Sequence, residues 1–180
     1  MRSEGATTGP EFEVRGSMAV EAGRGVLRFE IVVAASADVA WGALTDPAQL
    51  AAWYGRVEGD LHVGGRYHAV LFPSGWEGEG RVLACEPGRL LRMESGEPGG
   101  PLTTDELALI PEDAGSTRVV LTRVRPSAEM LAAYAVGTQL HLENLAAHLA
   151  GQDLIDPEPF WAALRPRYEV LAAQQEGDAG

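Results

Sequence analysis

Four histidines, one cysteine and a scatter of carboxylates are the residues of this chain best able to do chemistry, and their spacing decides which chemistries are open. His62, His68, His141 and His148 have no zinc-like local spacing, and Cys85 has no second cysteine beside it, so no metal site is expected. No HExxH pair, GxSxG elbow or GxxxxGK[ST] loop occurs. Gly78-Glu79-Gly80 imitates the start of a dinucleotide loop but lacks the third glycine and a following helix start, so no cofactor is expected. What remains is a set of polar and aromatic groups that matter only if the fold turns them toward one place.

Each of these groups has two readings. His141 and Thr138 share a helical stripe with Leu131, Tyr134, Leu142, Leu145 and Leu149. A histidine there either meets a ligand as donor or acceptor near neutral pH, or sits in the core bonded to a strand carbonyl, which is the commoner case. His68, Glu79 and Arg81 fall on neighbouring strands and line either a pocket or the outer sheet face, with an outer ladder of ion pairs favoured. One step of register flips every side chain, so the sequence does not choose. Glu106 pairs with an arginine such as Arg92, or takes a raised pKa suited to acid-base work, if it faces inward; facing outward it is merely solvated. Tyr67 and Tyr134 offer hydroxyls, Trp53 is placed near a pocket mouth, and Trp41 in the core.

The elements that must position these residues follow from turn and capping signals. Residues 1–24 lack an apolar core of signal-peptide type and are rich in Gly, Glu, Ser and Thr, and are taken as a disordered leader. Alternation over 26–33 predicts a first strand. Ser36 with Asp38 begins a short helix to about Leu44; Asp46, Pro47 and Gln49 begin a second, with Gln49 reaching back as a capping box. Strands follow over about 66–72, 77–85, 89–93, 103–110 and 117–124, joined by short Gly- and Pro-rich turns that call for an antiparallel meander. Pro126-Ser127 opens a long helix with Ser127 as N-cap and Gly151 as its C-terminal stop, and a further helix is expected from Pro157 to about Ala173. This gives an α+β domain over 25–151, an additional helix within 152–174, and a loose tail at 175–180.

Composition narrows the partners. The 180 residues carry 14 arginines, no lysine, and 26 acids, for a net charge of −12. That surface repels phosphate backbones and anionic lipid, so neither nucleic acid nor membrane is an expected partner. No apolar run reaches the roughly 18 residues of a membrane span, and the lone Cys85 forms no internal disulfide, which together suggest a cytoplasmic protein. Arginine without lysine suggests a GC-rich bacterial source.

The chain resembles the START-like, helix-grip superfamily, and within it the branch named after the activator of heat shock protein 90 ATPase. The resemblance is carried by VAAS (33–36), VAWGALTDP (39–47), LAAWY (50–54), VGGRY (63–67), GRVL (80–83) and NLAAHL (144–149), spanning about Gly25 to Gly151. It departs at Gly137-Thr138-Gln139, where such proteins usually carry a tryptophan, and in the helix after Gly151. The resemblance implies a curved antiparallel sheet of six or seven strands gripping a long C-terminal helix, with an apolar pocket between them. Members bind hydrophobic small molecules, cyclise polyketides or act on a chaperone, and fold alone does not separate these.

The leading expectation is therefore a non-catalytic binder of a hydrophobic or aromatic small molecule. Its candidate ligand-binding residues are Trp53, Tyr67, His68, Glu106, Tyr134, Thr138, His141 and Leu145. The alternatives are a cyclase- or aromatase-like enzyme using His141 with Glu106 or Arg81, and a chaperone ATPase co-regulator; a chaperone or a second copy of the chain would then be the partner.

Overall fold

Eight strands pair in the order β1-β2-β8-β7-β6-β5-β4-β3, every neighbour antiparallel. They are β1 (Gly16–Glu21), β2 (Arg24–Val33), β3 (Gly55–Gly59), β4 (Arg66–Leu71), β5 (Glu77–Glu86), β6 (Leu90–Gly96), β7 (Thr103–Pro111) and β8 (Thr117–Arg125). Four helices accompany them: α1 (Ala37–Thr45), α2 (Pro47–Trp53), α3 (Leu131–Leu149) and α4 (Pro157–Gly177). This computed structural model describes residues 12–72 and 74–177, without the side chains of 176 and 177. The architecture is the expected α+β helix-grip fold, with eight strands instead of six or seven. Among the described residues no helix is long and apolar enough to cross a membrane.

The expected meander is present from β4 to β8, and the first long strand, β2, closes against the last, β8. Along β2 the burial alternates, with Leu27, Phe29, Ile31 and Val33 inward. The two short helices form as their caps dictate: the Ser36 hydroxyl accepts from Val39 N, and the Asp46 carboxylate from Ala48 N. Gln49 makes no capping box. Its Oε1 instead lies 2.9 Å from His148 Nε2, tying α2 to α3.

Two strands were not expected. β1 lies inside the stretch taken as a disordered leader, and it forms because a two-residue turn at Ala22-Gly23, both with positive φ, folds it back on β2. Only Met18 of this strand is buried, so it shows no alternation by itself. The leader reading fails for 16–21, and residues 1–11 lie outside the described residues. β3 has a single buried apolar side chain, Val57, between glycines, and exists by pairing with β4.

α3 starts later than its sequence signals suggest. The Ser127 hydroxyl accepts from Glu129 N in a local turn, and the helix begins after Met130, held at φ 57°, with no side-chain cap. Its end is as expected: Gly151, at φ 66°, donates to the His148 carbonyl, and Gln152 N donates to Ala147 O. α3 is buried on more than the one predicted stripe. α4 packs along it with Phe160, Leu164 and Tyr168 fully buried, and reaches β1 as well. α4 also runs to Gly177, into the expected loose tail; residues 178–180 lie outside the described residues.

Candidate functional site

A straight helix and a curved sheet cannot stay in contact along their whole length, and the gap here is a cavity of about 830 Å³. That volume lies in the range of small-molecule sites. α1 and α2 contribute part of its wall. Trp41, Leu44, Leu50 and Trp53 come from that pair, Leu142 from α3, and Val57, Ala69, Leu91, Met93, Leu107 and Leu121 from the strands. Exposed Pro47, Asp60 and His62 mark the rim. A β-bulge between Val82 and Ala84 shifts the alternation of β5, so that Val82 and Cys85 both reach the cavity.

The polar part of the wall is built across three elements. Asp105 and Arg123 stand directly opposite on β7 and β8. They meet as a two-pronged pair, with Arg123 Nε to Asp105 Oδ1 and Nη2 to Oδ2 both 2.7 Å. Arg123 Nη1 donates to the Thr138 hydroxyl at 2.8 Å, and that hydroxyl donates to the Tyr134 carbonyl one turn earlier on α3. Burial opposes the charge on Arg123, but the attraction and hydrogen bonds of Asp105 outweigh it, and the guanidinium pKa is raised.

Three further groups face the same space. His141 Nε2 lies 2.8 Å from the Phe72 carbonyl, which makes Nε2 the protonated nitrogen. Burial is the main reason its pKa falls to about 4, so the ring is neutral at physiological pH. Tyr54 packs edge-on against that imidazole at 4.9 Å, and burial raises its phenol to about 12. Tyr67 is raised as well, chiefly by burial, with Ser95 beside its hydroxyl.

Of the eight residues predicted from sequence, Trp53, Tyr67, Thr138 and His141 line the cavity. Trp53 is wall and not mouth: it is buried, and its Nε1 donates to the Ala43 carbonyl at 3.0 Å. Trp41, expected in the core, is half-buried and also lines the cavity. The other four are turned elsewhere. His68 faces outward and pairs with Glu77 at 2.9 Å, in a ladder with Arg66–Glu79 and Arg81–Glu94, the outer-face arrangement favoured for these strands. Glu106 is absent from the lining because its neighbour Asp105 holds the inward position. Tyr134 lies under the Arg125 guanidinium, 3.0 Å from ring centroid to Cζ. Leu145 is fully buried core. The pairing of His141 with Glu106 or Arg81 that acid-base turnover would use is thus not assembled.

The sequence reading missed Asp105, Arg123 and Tyr54. The first two carried a signal: Asp105 keeps two-residue step with Leu107 and Leu109, and Arg123 with Val119 and Leu121. Among the described residues no group of three or more His, Cys, Asp or Glu side chains is placed to hold a metal.

The family described as Activator of Hsp90 ATPase homolog 1-like protein matches residues 34–150. A comparison with curated proteins finds no match. Among solved structures, CalU16 from Micromonospora echinospora is similar at 25% identity and TM-score 0.71, over 91% of this chain and 98% of that one. EF2215, a conserved protein from Enterococcus faecalis, aligns with TM-score 0.72 at 15% identity, over 89% and 91% of the two chains. DynU16, from the dynemicin biosynthetic locus, aligns with TM-score 0.65 at 24% identity, over 73% of this chain and 50% of that one. The last two likenesses establish the fold alone. The matched family segment runs from the end of β2 to the end of α3 and encloses every element that lines the cavity, so the chain belongs to the Activator of Hsp90 ATPase homolog 1-like protein family, in the START-like superfamily.

Proposed function

We propose that this protein binds an apolar or aromatic small molecule between α3 and the sheet, without converting it chemically. The observation that carries the reading is the cavity itself: about 830 Å³, walled mainly by aliphatic and aromatic side chains with a few convergent polar groups. An apolar ligand entering a wall of this composition would remove apolar surface from water on both sides, which favours binding. The membership in a START-like family and the likeness to CalU16 over nearly its whole length support the same reading. Non-catalytic binding accords with the absence of Glu106 and Arg81 from the cavity wall, which leaves His141 without either of those partners.

Phenylnaphthylamine, an uncharged dye that brightens in apolar surroundings, tests this. Titrated into the protein, it is expected to brighten to a plateau at one dye per chain and to quench the cavity tryptophans Trp41, Trp53 and Trp76 in parallel. A fluorescence no different from that of dye in buffer would overturn the proposal.

A further inference from the structure

The charges inside the cavity are already paired. Arg123 presents its two-pronged face to Asp105, and a third N–H goes to Thr138. A guanidinium has five N–H groups, so two remain. The Asp105 carboxylate, 8% exposed, stays beside any group that approaches them. Tyr54 contributes a hydroxyl that finds no partner among the described residues, and it is electrostatically coupled to both Arg123 and Asp105. Of the other groups on the inner wall, His141, Tyr54 and Tyr67 are uncharged at neutral pH, and Cys85 adds a thiol. Asp60 and His62 lie out on the rim, bonded to each other.

We infer that the cavity selects uncharged apolar ligands bearing a hydrogen-bond acceptor such as a carbonyl oxygen, and rejects carboxylates of the same size. The inference rests on the ligand-binding role proposed above. An incoming carboxylate would leave water for an apolar enclosure, find the arginine fork occupied, and lie against Asp105 with like charge. A neutral carbonyl avoids both penalties and accepts from a spare Arg123 N–H or the Tyr54 hydroxyl. Fatty acids and other anionic amphiphiles are therefore excluded as a class, and neutral oxygenated aromatics are admitted.

The test compares naphthamide with naphthoate, near-isosteres smaller than phenylnaphthylamine, by titration calorimetry on the full chain at neutral pH, in low and high salt. The expected result is amide binding tighter by ~10-fold or more at both salt concentrations. Asp105→Asn, which removes the internal counter-charge, is expected to narrow or invert that ratio. If this variant does not fold, the wild-type ratio still decides. Equal or tighter binding of naphthoate overturns the inference, as does a preference that vanishes in high salt, which would assign it to the net surface charge of −12. Binding of phenylnaphthylamine with neither naphthalene probe overturns the acceptor recognition alone. Failure of all three overturns the ligand-binding role as well.

Discussion

His141 shows how one side chain can be both structural and part of a site. Its Nε2–H donates to the Phe72 carbonyl, and one face of its ring meets Tyr54, while the residue lines the cavity. The groups nearby are Arg123, which lowers its pKa further, and Asp105 and the Phe72 carbonyl, which raise it; burial dominates. A histidine held below its ordinary 6.5 favours folding in its neutral form. That contribution is complete above the ordinary value and is lost as pH falls toward about 4. In an NMR titration the His141 ring signals are expected to remain those of the neutral imidazole until pH approaches about 4. His141→Gln is expected to flatten the loss of urea resistance between those limits. A midpoint near 6.5 would mean the ring is solvated. Residue identity was legible for Trp53, Tyr67, Thr138 and His141, whereas facing was not: Glu106 and Asp105 differ by one position, and only the Leu107–Leu109 step separates inward from outward.

At the scale of elements, glycines decide where aromatic rings lie. Tyr67 on β4 is directly opposite Gly80 on β5, and its ring rests where a Gly80 Cβ would stand; Trp76 lies likewise over Gly78. The Gly78-Glu79-Gly80 sequence therefore makes room for two cavity aromatics. Gly80→Ala is expected to displace Tyr67 and cost about 1–3 kcal/mol, an overpacking penalty. Gly42→Ala, in α1 with nothing within contact of the new methyl, is expected to stabilise by up to ~1 kcal/mol. Urea midpoints moving in opposite directions would bear this out, and a neutral Gly80→Ala would refute the ring placement. Strongly alternating or well-capped elements such as β2, α1 and α2 were legible. β1 and β3 were not, because their stability comes from partners and not from their own few apolar residues.

In the whole molecule, α3 is held between two partners, the sheet with its cavity on one side and α4 on the other. Gln139 of α3 gathers the second side: its amide donates to the Glu13 carbonyl at 2.7 Å, and its oxygen accepts from the Tyr168 hydroxyl at 2.6 Å. That hydroxyl in turn accepts from Gly16 N, so the start of β1, α3 and α4 converge on two side chains. α4 lies beyond the matched family segment, which ends at residue 150. The extra helix therefore braces the back of the gripped helix and leaves the cavity side open. The most direct test is a crystal structure of the protein grown with phenylnaphthylamine. The predicted result is dye density between α3 and the sheet, against Trp53 and Leu107, with the Asp105–Arg123 pair intact. A structure with that space closed by packed side chains, and the dye elsewhere or absent, would contradict it.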